Sequence, residues 1–420
     1  MKHREPAPAG RVWEGAAITT ATRRALIAVP LTCLLAAVAL LALFPAQVCQ
    51  PFASEGAYLQ HVTGSEATVA VLTEQPRRLR LEIRPEGAAQ GEPLFTAEEP
   101  APVRVHGLRA RGLVPDTRYA YAVRDEQGSL LAAGTLRTAP PPGRRTVVFA
   151  ALGDSGGVAN EHALALPAWA RRLIGRADDD RQQGVLATAI AHQVRPDFVL
   201  HTGDVVYPDG ERCRYREAFF LPFAPLLQSA PLYPVLGNHD ARTEGGAPLL
   251  EAFELPVNDA DRTERFYSFQ WGQVHVAALD STRNDEDYLA AQARWLDRDL
   301  AAAAGSWRVV FMHHPPFSRG KYRGQPLLRA HIVPVLERHR VHLVLSGHDH
   351  NYQRFAPIGG VTYVVTGGGG VKLYPVEPGE GLVAWAVAYH YVVAEAGESV
   401  LQVRAVGIDG RELDRFSIAR

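Results

Sequence analysis

Five apolar runs after residue 145 each stop at a polar cluster in which glycine or proline stands beside an oxygen or nitrogen donor. Residues 146–152 end in Gly153-Asp154-Ser155-Gly156, and residues 197–201 lead to Gly203-Asp204-Val205-Val206-Tyr207. Residues 231–236 end in Gly237-Asn238-His239-Asp240, residues 308–312 in His313-His314-Pro315, and residues 342–346 in Gly347-His348-Asp349-His350. Short apolar runs bounded by turn residues predict buried strands. The amphipathic stretches 183–193 and 291–304 predict covering helices, so a largely parallel, layered α/β core is expected. In such cores the chemistry gathers at the C-terminal ends of strands. Residues 274–279 are a further strand ending in Asp280-Ser281, whereas Glu161-His162 follows no strand and reads as helix surface.

A single Gly-Asp pair after a strand is an ordinary turn. Five such ends in one chain carry more information, because their donors form a consistent set. Carboxylate, phenol, amide oxygen and imidazole are hard or borderline ligands, and no thiolate is among them. That excludes a structural zinc of the cysteine type. It suits two ions bridged by one carboxylate, an arrangement used for hydrolysis. The glycines let the backbone turn sharply enough for donors on separate strands to converge.

The remaining sequence sets bounds. A length of 420 residues allows two or three domains. The formal net charge of -1 provides no global basic field, so no nucleic-acid surface is evident and an anionic substrate must be held locally. The three cysteines, Cys33, Cys49 and Cys213, form neither a disulfide framework nor a CxxC metal site; a Cys49–Cys213 bridge is one reading, and unpaired cysteines are the favoured one. Residues 1–50 form a basic N-terminus followed by a transmembrane or signal segment. Lys2, Arg4, Arg11, Arg23 and Arg24 precede residues 25–44, an apolar run broken only by Pro30 and Thr32 and long enough to span a bilayer. The basic flank predicts the N-terminus inside and the rest of the chain exported, periplasmic or extracellular if the leader is cleaved and membrane-anchored if it is kept. Residues 54–138 alternate in short strands such as 67–73, 78–84 and 118–124, a pattern for an all-β sandwich of about seven strands. They carry no clustered donors and are assigned no chemistry. The proline-rich linker 139–145 leads into a catalytic domain over 146–420.

The ordered set Gly-Asp-x-Gly, Gly-Asp-x-x-Tyr, Gly-Asn-His-(Glu/Asp), Val-x-x-His and Gly-His-x-His resembles the purple acid phosphatase branch of the calcineurin-like metallophosphoesterases, over about residues 145–355. Gly112-Leu113-Val114-Pro115-Asp116-Thr117 before Tyr119 resembles the entry to the tyrosine corner of a fibronectin type III domain. Plant and bacterial members of the branch carry such a domain ahead of catalysis. The resemblance implies a metallophosphoesterase β-sandwich flanked by helices, an α/β fold behind an all-β sandwich. It implies one metal held by Asp154, Tyr207 and His350, a second held by Asn238, His313 and His348, and Asp204 bridging them. His314 is the alternative to His313, which the spacing to Pro315 favours. Fe(III) is implied at the Tyr207 site, with Fe(II), Zn or Mn at the second. The implied reaction is hydrolysis of small phosphate monoesters by a metal-bound hydroxide attacking phosphorus in line. His239 would be the general acid, with Asn238, His239 and Arg319 facing the phosphate.

Two departures from the pattern stand out. Asp240 occupies a position where Glu is more usual, and its shorter reach changes what it supports. Residues 315–321 lack the histidines that some plant members place near the phosphate. Arg319, Lys321 and Arg323 stand there instead, either as phosphate-facing cations or as ordinary surface cations. A phosphodiesterase or nucleotide hydrolase on the same metals is the rival enzyme reading. A membrane-tethered binding protein with a disabled enzyme fold is the rival from another class, and the intact set of seven donors argues against it.

Thr22-Arg23-Arg24-Ala25-Leu26-Ile27 resembles a twin-arginine export signal, which suits a metalloprotein exported folded. Replacing Arg23 and Arg24 by Lys is expected to stop export, as read by cell fractionation. Unchanged export through a general pathway would overturn this reading.

Overall fold

The computed structural model describes residues 52–54, 56–88, 92–143, 146–157, 182–258 and 262–420. The expected membrane span and the Glu161-His162 pair lie outside these residues. Among the described residues, no helix is long and apolar enough to cross a membrane.

Seven strands make the N-terminal sandwich: β1 (Tyr58–Gln60), β2 (Glu66–Arg77), β3 (Arg80–Pro85), β4 (Phe95–Glu98), β5 (Val103–Arg111), β6 (Arg118–Arg124) and β7 (Leu130–Arg137). They form one sheet in the order β1-β2-β5 and a second in the order β4-β3-β6-β7. Strand β6 shows why. Tyr119, Tyr121 and Val123 alternate inward and are buried, while the intervening residues face out. The Tyr119 hydroxyl accepts from Val114 N at 2.9 Å, the bond expected at a tyrosine corner.

The C-terminal part adds β8 (Val147–Leu152), β9 (Phe198–His201), β10 (Leu232–Pro234), β11 (Tyr267–Trp271), β12 (Val274–Leu279), β13 (Trp307–Met312), β14 (Leu343–Ser346), β15 (Tyr352–Phe355), β16 (Thr362–Thr366), β17 (Leu382–Ala386), β18 (His390–Ala396), β19 (Val400–Gly407) and β20 (Glu412–Ala419). One sheet runs β10-β9-β8-β18-β19-β20 and the other β11-β12-β13-β14-β16-β15-β17. Only part of each sheet is parallel, the β10-β9-β8 end of the first and the β12-β13-β14-β16 middle of the second. The expectation of a largely parallel core therefore holds only there. Strands joined by tight turns, such as β11 to β12 through Gly272 or β18 to β20, must run antiparallel.

Aromatic side chains join the two sheets. Phe198 on β9 stacks on Phe149 at 5.1 Å and meets Phe269 and Trp271 of the facing sheet at 5.4 Å and 5.5 Å. Helix Glu286–Ala302 covers the second sheet and begins earlier than the apolar pattern suggested, because Asp285 caps it by accepting from Tyr288 N. Its Gln292 accepts from Asp280 N at 2.9 Å and donates to Asp280 O at 2.8 Å, which pins the end of β12. The expected 183–193 helix is an α-helix over Gln182–Ala189 that continues as a π-turn, Ile190–Val194.

The N-terminal sandwich is seated on the helical segments around residues 216–228 and 247–252. Tyr58 packs on Phe220 at 5.0 Å and donates to Ala252 O at 2.5 Å, and Tyr121 donates to Gln228 O at 3.1 Å. Cys213, in the short turn Arg212–Arg214, is disulfide-bonded. This corrects the reading of unpaired cysteines: spacing detects frameworks, and a single bridge between distant segments leaves no pattern. Its partner lies outside the described residues.

Phe198→Ala is expected to cost about 3–5 kcal/mol, because the ring fills the sheet-to-sheet contact and the cavity cannot collapse. Thermal unfolding of the variant checks this, and a loss under about 1 kcal/mol would contradict it.

Candidate metal centre

All seven expected donors converge, from both sheets. The turns after β8, β9 and β10 bring Asp154, then Asp204 with Tyr207, then Asn238. The turns after β13 and β14 of the other sheet bring His313, then His348 with His350. The turns are unusual. Asp154, Asp204 and His348 have left-handed backbones, with φ of 58°, 53° and 67°. Each such residue costs about 1–3 kcal/mol unless its surroundings enforce it. Two glycines are required by close approach. A Cβ on Gly203, whose φ is 93°, would stand 2.8 Å from His313 Nδ1, and one on Gly237 would stand 2.1 Å from Asp204 Oδ1.

Tyr207 donates its hydroxyl to Asp204 Oδ2 at 2.8 Å and lies 3.3 Å from both Asp154 Oδ1 and His350 Nε2. His350 Nε2 is 3.4 Å from Asp154 Oδ1. On the other side, His313 Nε2 is 3.4 Å from Asp204 Oδ2, 3.0 Å from Asn238 Oδ1 and 3.2 Å from His348 Nδ1. Asp154, Asp204 and His313 place donor atoms within 4.8 Å of one another, and so do His313, His314 and His348.

The protons are already placed for cations. His313 Nδ1–H donates to Thr202 O at 2.9 Å, and His350 Nδ1–H donates to Lys372 O at 2.7 Å. A carbonyl only accepts, so both rings keep a proton on Nδ1 and turn Nε2, the atom a metal would take, into the cluster. Burial, opposed by His350 and reinforced by Asp204, pushes the Asp154 carboxyl up to about 7. Burial and the Asp204 and Asp154 carboxylates hold the Tyr207 phenol well above its usual range. Burial also holds His313 and His348 below the usual imidazole value. At His350 burial works the same way, but the adjoining Asp154 raises it overall. Reluctant acids beside the neutral imidazoles of His313 and His348 form a donor set that favours added positive charge, so the residues present fit metal ions.

The remaining expected residues have distinct places. His239 stays at the rim. Its backbone N–H donates to Asp204 Oδ1 at 2.8 Å, its Nδ1–H to Pro208 O at 2.5 Å, and its ring lies 4.2 Å from that of Tyr207. Asp240 is buried and accepts from Val205 N, Val206 N and Gly237 N at 3.0, 3.1 and 3.0 Å. Its short side chain stitches the Asp204 loop to the Asn238 loop. Arg319 donates to Glu380 O at 2.9 Å, and Arg323 pairs with Glu377 at 2.6 Å. Both therefore engage a neighbouring loop. His314 receives its support from Ser281, whose Oγ accepts His314 N–H at 2.8 Å, and its ring lies 4.4 Å from that of His348. Sequence reasoning gave no individual role to Ser281, Tyr322 or Tyr374 around the donors. The strand end Asp280-Ser281 and the loop from Tyr374 to Trp385, a segment expected to bear on substrate choice, were the signals available.

The calcineurin-like phosphoesterase family profile matches residues 148–352. An uncharacterized protein of Mycobacterium tuberculosis is 30% identical over 288 residues, or 61% of this chain and 52% of that protein. The chain thus spans about half the length of that relative. Tartrate-resistant acid phosphatase type 5 of Sus scrofa is 27% identical over 276 residues, or 58% of this chain and 76% of that protein. A purple acid phosphatase from yellow lupin (Lupinus luteus) seeds shares the fold with a TM-score of 0.71 at 19% identity, covering 87% of this chain and 74% of the other.

Without metals, Asp154 is protonated in the fold up to about 7, while the unfolded chain ionises near the ordinary carboxylate value. Its contribution to stability is present below that ordinary value and is lost as pH rises through about 7. Chelated protein is therefore expected to melt at falling temperature from about pH 5 to about pH 8, and metal-loaded protein to escape this fall. Calorimetry of both forms decides it. Parallel curves would contradict the prediction.

Proposed function

We propose that this chain, whose residues 148–352 match the calcineurin-like phosphoesterase family, hydrolyses phosphate monoesters at the centre built on Asp204. The observation that carries the reading is the meeting of all seven donors around Asp204 and His313. Asp154, Tyr207 and His350 would hold one ion, Asn238, His313 and His348 the other, and Asp204 both. Bound there, two cations neutralise phosphate oxygens and lower the pKa of a water nucleophile. Fe(III) suits the Tyr207 side, since a phenolate prefers a trivalent ion, and Fe(II), Zn or Mn suits the nitrogen-rich side.

The chain's own contribution is orientation and proton transfer. Asn238 and His239 lie on one turn, fixed by Asp240 and by the His239 N–H bond to Asp204. The Nδ1 proton of His239 is committed to Pro208 O, which leaves Nε2 as the atom that hands a proton to the departing oxygen. The ring of Tyr207 beneath keeps that imidazole at the rim. An exported location is supported by the basic leader with its apolar run and by disulfide-bonded Cys213, since such bonds persist in oxidising compartments. The N-terminal sandwich is assigned to the fibronectin type III class, on its seven strands and the Tyr119 bond, and serves as a docked, non-catalytic module.

Asp204→Asn is expected to abolish turnover of a simple phosphate monoester and to lower bound metal, measured by elemental analysis. Full activity in that variant would sink the proposal, and faster turnover of a bis-ester than of the monoester would move it to the diesterases. His239→Ala is expected to slow esters of poor leaving groups by about 10²–10⁴-fold and esters of good leaving groups much less. Equal losses on both would remove the general-acid role. Purified protein is expected to show a visible charge-transfer band that Tyr207→Phe removes. A colourless, zinc-only, fully active protein would refute iron.

A further inference from the structure

Two loops wall one side of the donor cluster with aromatic rings. Tyr322 lies against His348, with centroids 4.1 Å apart and planes at 31°. Tyr374 lies against His350 at 4.2 Å and 14°. The two tyrosines meet each other at 6.2 Å and 73°, so their rings form a corner. Lys321 Nζ sits at that corner, 4.8 Å from the Tyr322 centroid and 4.6 Å from that of Tyr374.

The corner is built firmly. Glu377 N donates to Arg319 O at 2.9 Å, and the side chains of Arg319 and Arg323 also bond the 377–380 loop. Asp349, between the two histidines, accepts from Tyr322 N at 3.2 Å and from Ser318 Oγ at 2.5 Å, so the donor turn itself fixes the Tyr322 loop. Yet Tyr322 is 41% exposed. A ring needed only to buttress His348 gains nothing from standing in water, and neither tyrosine belongs to the apolar cores.

We propose that Tyr322 and Tyr374, with Lys321 between them, form a leaving-group subsite that favours phosphate esters of planar aromatic groups, a proposal that rests on the phosphoesterase reading above. A flat ring gains stacking on the open corner beyond its buried area, and the ammonium beside it draws in an anionic ester. An alkyl leaving group gains only the second effect.

The test uses the full metal-loaded chain. It compares kcat/KM for phenyl phosphate, adenosine 5′-monophosphate and glycerol 2-phosphate in the wild type, Tyr322→Leu and Tyr374→Leu, with bound metal measured in each. The phenyl-to-glycerol ratio is expected to fall about fivefold in each variant. A fall confined to phenyl phosphate assigns the corner to rings bonded directly to the ester oxygen, and a fall for the nucleotide as well extends it to nucleobases. Tyr322→Trp, which keeps a ring against His348, is expected to keep or raise the ratio. An unchanged ratio in both Leu variants, or a Trp variant that falls as the Leu variant does, overturns the subsite while leaving the phosphoesterase reading intact. If the wild type turns over none of the esters, that reading fails instead. Calorimetric binding of phenylphosphonate against methylphosphonate then decides the subsite by the same ratio.

Discussion

Negative charge withdrawn from water governs this structure. Asp154 and Asp204 are buried with donor oxygens in one small cluster, and a phenol joins them through a hydrogen bond. Isolated carboxylates do not remain ionised in such a place unless cations compensate them. The surrounding fold opposes the easier alternatives, which are to spread the acids apart or to let water in. Asp240 ties the loops together through three backbone N–H groups, Gly203 and Gly237 allow contacts that no side chain would fit, and two carbonyls fix the histidine tautomers. Left-handed backbone at Asp154, Asp204 and His348 is the conformational cost of holding donors this close.

Much of the centre was legible in the sequence because its donors stand at strand ends, where an apolar run followed by glycine marks both the element and its exit. The clusters that hold Asp154, Asp204, Tyr207, Asn238, His313, His348 and His350 stood out on that basis, and the family resemblance picked these seven from among their neighbours. What was not legible depends on which loops meet. Asp240 reads as a variant of a motif position, and only the folded chain shows its carboxylate turned toward backbone amides. Arg319 had the right charge and the right segment, but its guanidinium is taken by the 377–380 loop, because Glu377 and Glu380 come alongside it only in three dimensions. Tyr322 and Tyr374 belong to no motif, and nothing in one dimension reveals that their rings share a corner.

Sheet direction was misjudged for a related reason. Apolar run length identifies strands but carries no direction, and the antiparallel edges arise from short connections such as Gly272 and the turns on either side of β19. The parallel groups, which carry the donors, were read correctly because helical stretches separate their strands.

The division of the donors between two sheets has a mechanical consequence. Asp154, Asp204, Tyr207 and Asn238 belong to one sheet and His313, His348 and His350 to the other. Ions held by both sets, as proposed above, would be cross-links placed where the layers would have to part for the chain to open. Separating the layers would then require breaking coordination bonds before the aromatic contacts around Phe198 could come apart. The occupied protein should resist proteases and heat through a slow rate of opening, a form of persistence distinct from a deep equilibrium minimum.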